Sequence, residues 1–210
     1  MFLPHSKKTI NKTIDDEKFA QFTKKADCQF FNMDCGIEHY RLLTYLSHSF
    51  NDCHIFDIGT ALGLSALALS YNDTNTIYSF DIKNCNVSDE IVSHKNIKFI
   101  LDDLWSKEGR ERWEDVLLSS KFIFLDIDPH EGLNEYEFYQ YLKVKNYQGF
   151  IVFDDIHHFQ GMRDNFWSKI PDYEKVDITD VGHWSGTGVI SFQKKYIEIF
   201  ETMDEEGESK

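Results

Sequence analysis

Residues 55–65, Ile-Phe-Asp-Ile-Gly-Thr-Ala-Leu-Gly-Leu-Ser, constrain the fold of this chain more than any other stretch. An apolar run ends on an acid, two glycines follow, and a helix-like segment, Ser65-Ala66-Leu67-Ala68-Leu69, begins. This pattern describes a buried strand that turns sharply into a helix. The glycines let a ligand approach the backbone where a Cβ would block it. The helix start supplies N–H groups that have no partner inside the helix. In open α/β sheets, a turn of this kind at the carboxyl end of a strand is where nucleotide-like ligands bind.

Downstream, short apolar runs alternate with helical periodicity. Strands are expected at His54–Ile58, Thr76–Ile82, Ile97–Leu101, Phe122–Ile127 and Gly149–Phe153, and two more near Tyr173–Ile178 and Gly186–Gln193. Helices are expected over Gly36–Phe50, Gly63–Tyr71, part of Asn84–His94, Trp105–Leu118, Asn134–Val144 and Phe159–Ile170. Unbroken apolar strands separated by helices imply a parallel sheet covered on both faces. The predicted fold is a Rossmann-like, doubly wound α/β sheet of seven strands, mainly parallel, closing with a C-terminal antiparallel hairpin. Residues 1–30 are expected to form a polar arm or lid, residues 31–195 the domain, and residues 196–210 a disordered acidic tail.

Composition narrows the function. The chain has 210 residues, 41% of them hydrophobic and 15% aromatic, enough for one domain with a full core. A net charge of −14 with no basic stripe argues against nucleic acid as a partner. No apolar run approaches the roughly 18 residues that span a bilayer, and the N-terminus lacks a secretory pattern, so a cytoplasmic location with no membrane partner is expected. The 4 cysteines show no short paired spacing, which disfavours a zinc site or a disulfide framework. Oligomeric state is open, a homodimer being one arrangement.

Several predicted strands end in acids: Asp57, Asp81, Asp126, and Asp154 with Asp155. A parallel sheet brings those ends to one edge, so carboxylates far apart in sequence converge on one crevice. Asp81 ends the second strand, where an acid receives the hydroxyls of a ribose. The glycine turn departs from the Gly-x-Gly-x-x-Gly of dinucleotide enzymes, because Ala61 replaces the glycine that makes room for a pyrophosphate. An adenosine ligand without phosphates fits this pattern better.

On these residues the chain resembles the class I S-adenosylmethionine-dependent methyltransferases. More narrowly, it is similar to the metal-dependent small-molecule O-methyltransferases of the catechol and caffeoyl type and to bacterial sugar and macrolide O-methyltransferases. The resemblance covers about residues 37–193 and implies methyl transfer from S-adenosylmethionine to a hydroxyl of a small molecule, assisted by Mg2+ or another divalent cation. It implies that Asp57, Gly59, Ala61, Gly63 and Ser65 surround the cofactor, with Ser65 capping the helix. Asp81 would hold the ribose and Asp103, in preference to Asp102, the adenine amino group. Asp126, Asp154 and Asp155 would bind the cation. Such an ion lowers the pKa of the acceptor hydroxyl and aligns it with the methyl group. Asp154-Asp155 has an alternative role as a helix cap.

Relatives carry Lys or His three residues after the first of these acids, but this chain has Pro129 there. His130 and His157 are the candidate bases. In the glycine-rich stretch Gly182–Gly188, His183 and Trp184 are candidates for the substrate mouth, although Trp184 alternatively covers the edge of the core. Two rival functions are a sugar transferase holding its ion with Asp126-x-Asp128 and a non-catalytic cofactor-binding module on the same fold.

Overall fold

A computed structural model describes residues 6–24 and 29–193. Seven strands form one sheet: β1 (His54–Ile58), β2 (Thr76–Asp81), β3 (Ile97–Leu101), β4 (Phe122–Leu125), β5 (Phe150–Phe153), β6 (Lys175–Asp177) and β7 (Gly188–Ser191). Their order is β3-β2-β1-β4-β5-β7-β6. Strands β1 to β5 pair in parallel, and β7 runs antiparallel to both β5 and β6. This is the predicted doubly wound sheet with its antiparallel end.

Side chains alternate across a strand, so each apolar run feeds two cores. Ile55, Ile77, Phe122 and Phe150 face one side, where they join Leu42, Leu43 and Leu46 of α3 (Asp34–His48) and Leu67 of α4 (Leu64–Leu69). Phe56, Phe80, Ile123 and Ile151 face the other, where Leu117 of α6 (Lys107–Ser119) and Phe138 and Leu142 of α7 (Leu133–Val144) cover them. A short α5 (Asp89–Val92) follows β2 and buries Ile91. The helix α6 starts at Ser106, whose hydroxyl accepts the Gly109 N–H at 3.0 Å.

Residues Lys7–Thr13 and Asp16–Lys24 form α1 and α2, and their Ile10 and Phe19, with Ile14 between them, sit in the first core. The arm's end continues into a 3-10 turn, Gln29–Asn32, while its residues 1–5 and 25–28, and the expected acidic tail at 196–210, lie outside the described residues. Among the described residues, no helix is long and apolar enough to cross a membrane.

The structure corrects several element boundaries. β2 and β4 stop short of Ile82 and Ile127, because the chain leaves the sheet there to line a cleft. The predicted helix Phe159–Ile170 is a π turn, Met162–Phe166, followed by a 3-10 turn, Trp167–Lys169. It ends because Ile170 precedes Pro171 and takes an extended conformation, ψ 130°. β6 is only three residues long, since a 3-10 turn at Asp172–Glu174 takes up the start of the predicted strand.

Strands β1 and β4 are neighbours, with β2 and β3 on one side and β5, β7 and β6 on the other. The carboxyl ends of β1 and β4 therefore flank the topological switch point, where open α/β sheets bind ligands.

Candidate active site

A cleft of about 680 Å³ opens at that switch point. Its size is that of a small-molecule site. Gly59 and Ala61 from the turn after β1, Asp81 from β2, Asp103 after β3, and Asp126 and His130 after β4 all line it. The turn is tight enough to demand glycine. Gly59 has φ +108°, and a Cβ there would lie 1.7 Å from the Asp126 carbonyl oxygen. The backbone after β1 is thus packed directly against the backbone after β4. Ala61 also sits at positive φ, +44°, a conformation costly for a residue with a Cβ.

Asp57 lies beneath the turn, fully buried. Its Oδ2 accepts the Ser79 hydroxyl at 2.6 Å, and Ser79 and Thr60 share a 2.8 Å hydroxyl contact. Burial pushes the Asp57 carboxyl up to about 6; the Ser79 and Ser65 hydroxyls pull it back and Asp81 adds to the rise. Asp57 therefore braces the turn from below. Ser65 is buried inside α4, and the residue at the helix N-cap is Gly63, which corrects the capping role expected of Ser65.

Asp81 is presented to the cleft by backbone donors. Its Oδ1 accepts the Lys83 N–H at 2.9 Å and its Oδ2 the Ala61 N–H at 3.3 Å. Burial works against its charge, but the Cys85 thiol and the N–H groups of Lys83, Ala61 and Ile82 outweigh it and hold the carboxyl below its usual range. Asp102 also lines the cleft, and its carboxylate accepts the Trp113 indole N–H at 2.8 Å and pairs with the Arg112 guanidinium. Asp103 accepts the Trp105 N–H at 2.8 Å and lines the cleft beside Trp105 and Leu104.

At the β4–β5 end, acids and imidazoles gather in two groups. Ligating atoms of Asp126, His130 and Asp155 lie within 4.8 Å of one another. His130 Nε2 is 3.4 Å from Asp128 Oδ1 and 3.6 Å from Asp155 Oδ2, and its ring stacks on Phe159 at 4.5 Å. The second group is His39, Asp154 and His183, also within 4.8 Å. Asp154 thus falls with two histidines, while the other two acids of the expected cation set fall with His130. Burial, then the neighbouring charges of Asp154, Asp155 and Asp57, push the Asp126 carboxyl well above its usual range, with His183 opposing. Burial also works against the charge on Asp154, but His39 and His183 hold its carboxyl below the usual range. Burial lowers the His39 imidazole.

Two predicted residues sit away from the cleft. His157 turns to the outer edge of the sheet, where its Nε2 meets Asp177 Oδ2 of β6 at 2.5 Å. Trp184 is 61% exposed and packs on His158 and His183. Sequence reasoning missed His39 and Trp105. His39 lies three and four residues before Leu42 and Leu43, so a histidine on the buried stripe of α3 was the available signal. Nothing in the spacing around Trp105 marks it.

No protein-family model and no curated protein sequence matches the chain. Solved structures do share its fold. It is similar to cofactor-bound Rv0187 from MTB, with a TM-score of 0.54 and 14% identity over 84% of this chain and 90% of that one. It is also similar to the SAH-bound methyltransferase PaMTH1 of Podospora anserina, with a TM-score of 0.51 and 13% identity over 86% and 89% of the two chains. A Klebsiella pneumoniae protein provisionally assigned as an O-methyltransferase gives a TM-score of 0.52 and 14% identity over 85% and 90%. The chain has the Rossmann-like fold of S-adenosylmethionine-dependent methyltransferases.

Proposed function

We propose that this chain transfers the methyl group of S-adenosylmethionine to a hydroxyl of a small molecule, with a divalent cation beside the donor. One observation carries the reading: a single cleft joins the glycine turn, Asp81 and Asp103 to Asp126 and His130. The fold neighbours support it, since one is a methyltransferase bound to SAH and another is assigned as an O-methyltransferase.

Asp81 faces the cleft, where a ribose hydroxyl would take the place of its weak Cys85 thiol donor. Asp103 is positioned for the adenine amino group, and Leu104, Trp105 and the exposed Ile82 supply apolar wall for the base. Ala61 in place of glycine suits a ligand that brings no pyrophosphate.

The β4–β5 rim fits a hard cation. Burial and then the facing carboxylates drive the proton affinity of Asp126 up, so positive charge at that point offsets both. Asp126 and Asp155 would hold Mg2+, which is commonly bound through one or two carboxylates and keeps several waters. When bound, such an ion lowers the pKa of the acceptor hydroxyl and orients it toward the methyl group. His130 offers nitrogen, which Mg2+ does not favour. We therefore assign His130 to the proton of the acceptor hydroxyl, its ring fixed by Phe159 and its Nε2 steadied by Asp128 and Asp155. The partner is a small hydroxyl acceptor, and the reaction is suited to the cytoplasm.

Calorimetry with adenosylhomocysteine, then turnover on a panel of hydroxyl acceptors with Mg2+ and with chelator, tests this. Heat of binding and chelator-sensitive methylation are expected. A folded protein that binds neither the donor nor its product overturns the assignment.

A further inference from the structure

The β4–β5 end holds a second polar group that the proposed reaction does not use. His39 and Asp154 have side chains only 9% and 6% exposed. His39 Nδ1 is buried and makes no hydrogen bond. It faces Asp154 Oδ2 at 3.9 Å, and His183 Nδ1 approaches the same oxygen at 3.3 Å. The 3.9 Å gap is too long for a hydrogen bond. It is also too short for a bridging water, which at ordinary lengths and a tetrahedral angle separates its partners by about 4.6 Å.

A metal ion fits the gap. Bonds of roughly 2.0–2.2 Å place neighbouring tetrahedral ligands about 3.3–3.6 Å apart and never more than about 4.4 Å. The 3.3 Å separation of His183 from Asp154 matches that spacing, and a contraction of the 3.9 Å one brings His39 in. We propose that His39, Asp154 and His183 bind a divalent transition metal of the Zn2+ or Co2+ kind, at a site separate from the oxygen-rich rim of Asp126 and Asp155. Two imidazoles and one carboxylate select such ions over Mg2+ and leave a coordination position open.

The surroundings hold the ligands in place. The His39 ring packs against Phe124 at 5.4 Å and Tyr40 at 5.0 Å. His183 Nδ1 contacts Ser185 Oγ at 2.6 Å, and coordination replaces that contact. Ser185 then keeps Asp154 Oδ1, at 3.4 Å, and orients the carboxylate. The ion reaches the site past His183, whose side chain is 21% exposed. Binding here needs no methyl donor and stands apart from the reaction proposed above.

The test is a Co2+ titration of the chelator-treated full chain, followed by visible absorption and calorimetry, with Mg2+ as the control. The wild type should develop the strong absorption of four-coordinate Co2+, which Mg2+ does not displace and Zn2+ does. His183→Ala and His39→Gln should each lose the band or bind Co2+ at least tenfold more weakly, while His130→Ala keeps it. If buried His39→Gln fails to fold, Zn2+ added to the wild type should still shift the Nδ1 nitrogen resonances of both histidines. An unchanged Co2+ affinity and spectrum in His183→Ala overturns the site, as does a band lost in His130→Ala but kept in His183→Ala. Absence of Mg2+-stimulated turnover with the Co2+ band intact counts against the reaction and leaves this site standing.

Discussion

On the β1–β2 side of the cleft, Asp57, Thr60, Ala61, Ser79 and Asp81 belong to one strand–helix–strand unit and hold one another by short hydrogen bonds. On the β4–β5 side, Asp154 meets His39 from before β1 and His183 from just before β7, while Asp155 meets His130 from after β4. The electrostatics differ as well. Backbone N–H groups satisfy Asp81 and keep it charged, whereas Asp126 faces other acids and resists ionisation. One side presents its cleft acid already held by backbone donors, and the other is arranged around positive charge it does not itself fully supply. The sides meet at Gly59, whose Cα lies against the Asp126 carbonyl.

That junction is the place to break both sides together. Gly59→Ala forces a Cβ into the Asp126 carbonyl at a φ that disfavours it. The expected cost is about 3–5 kcal/mol in urea unfolding, with adenosylhomocysteine and Mg2+ binding lost together. If the variant binds the nucleoside normally, the two sides are not mechanically joined. Asp81→Asn comes next and touches one side alone. Losing charge-assisted hydrogen bonds of roughly 1.5–3 kcal/mol should weaken adenosylhomocysteine by about 10- to 100-fold in calorimetry, with metal binding unchanged.

These two predictions also mark what the sequence made readable. The glycine turn, the Asp81 strand end and the Asp102-Asp103 pair are local features, visible within a few residues of a strand end. Asp102 and Asp103 both line the cleft, and Asp102 also bonds Trp113 and Arg112 of the following helix. The convergence of Asp126 and Asp155 followed from topology, because parallel strands share an edge. The partition of the acids did not follow. Asp154 and Asp155 are adjacent, yet Asp155 at φ +61° turns to His130 while Asp154 turns under α3 to His39. That split depends on a backbone conformation and a helix packing that no spacing rule encodes. The same holds for His157, the competitor to His130 in the sequence, which went to the edge of the sheet.

A smaller effect is expected from Asp126→Asn, and its sign separates the two sides. The folded carboxyl sits well above its ordinary value of 3.8 because of burial and its acidic neighbours. A raised value means that the folded protein holds its proton longer than the unfolded chain does. Stability is therefore greatest below the unfolded value and falls as pH rises through the folded one. Asn stays neutral throughout, so without metal the variant should gain about 1 kcal/mol over the wild type above neutral pH and converge with it near pH 3. Metal-stimulated turnover should disappear while adenosylhomocysteine binds within a few-fold. A variant less stable at every pH makes Asp126 a structural residue.

The smallest change is expected at His157, and it decides which imidazole serves the cleft. His157 and Asp177 form a half-exposed pair at the outer edge of the sheet, with side chains 43% and 42% exposed. Exposed pairs of this kind contribute little, because solvent screens the attraction and ordering two side chains costs entropy. His157→Ala should shift stability by less than about 0.5 kcal/mol and leave turnover and its pH profile unchanged. His130→Ala should lower kcat by about 100-fold or more, the usual share of a general base, with little change in the affinity for adenosylhomocysteine. The pH profiles of the two variants, measured side by side on one acceptor, check the assignment. If removing His157 abolishes turnover while removing His130 does not, the proton leaves toward β6, and the β4–β5 rim serves only to hold charge.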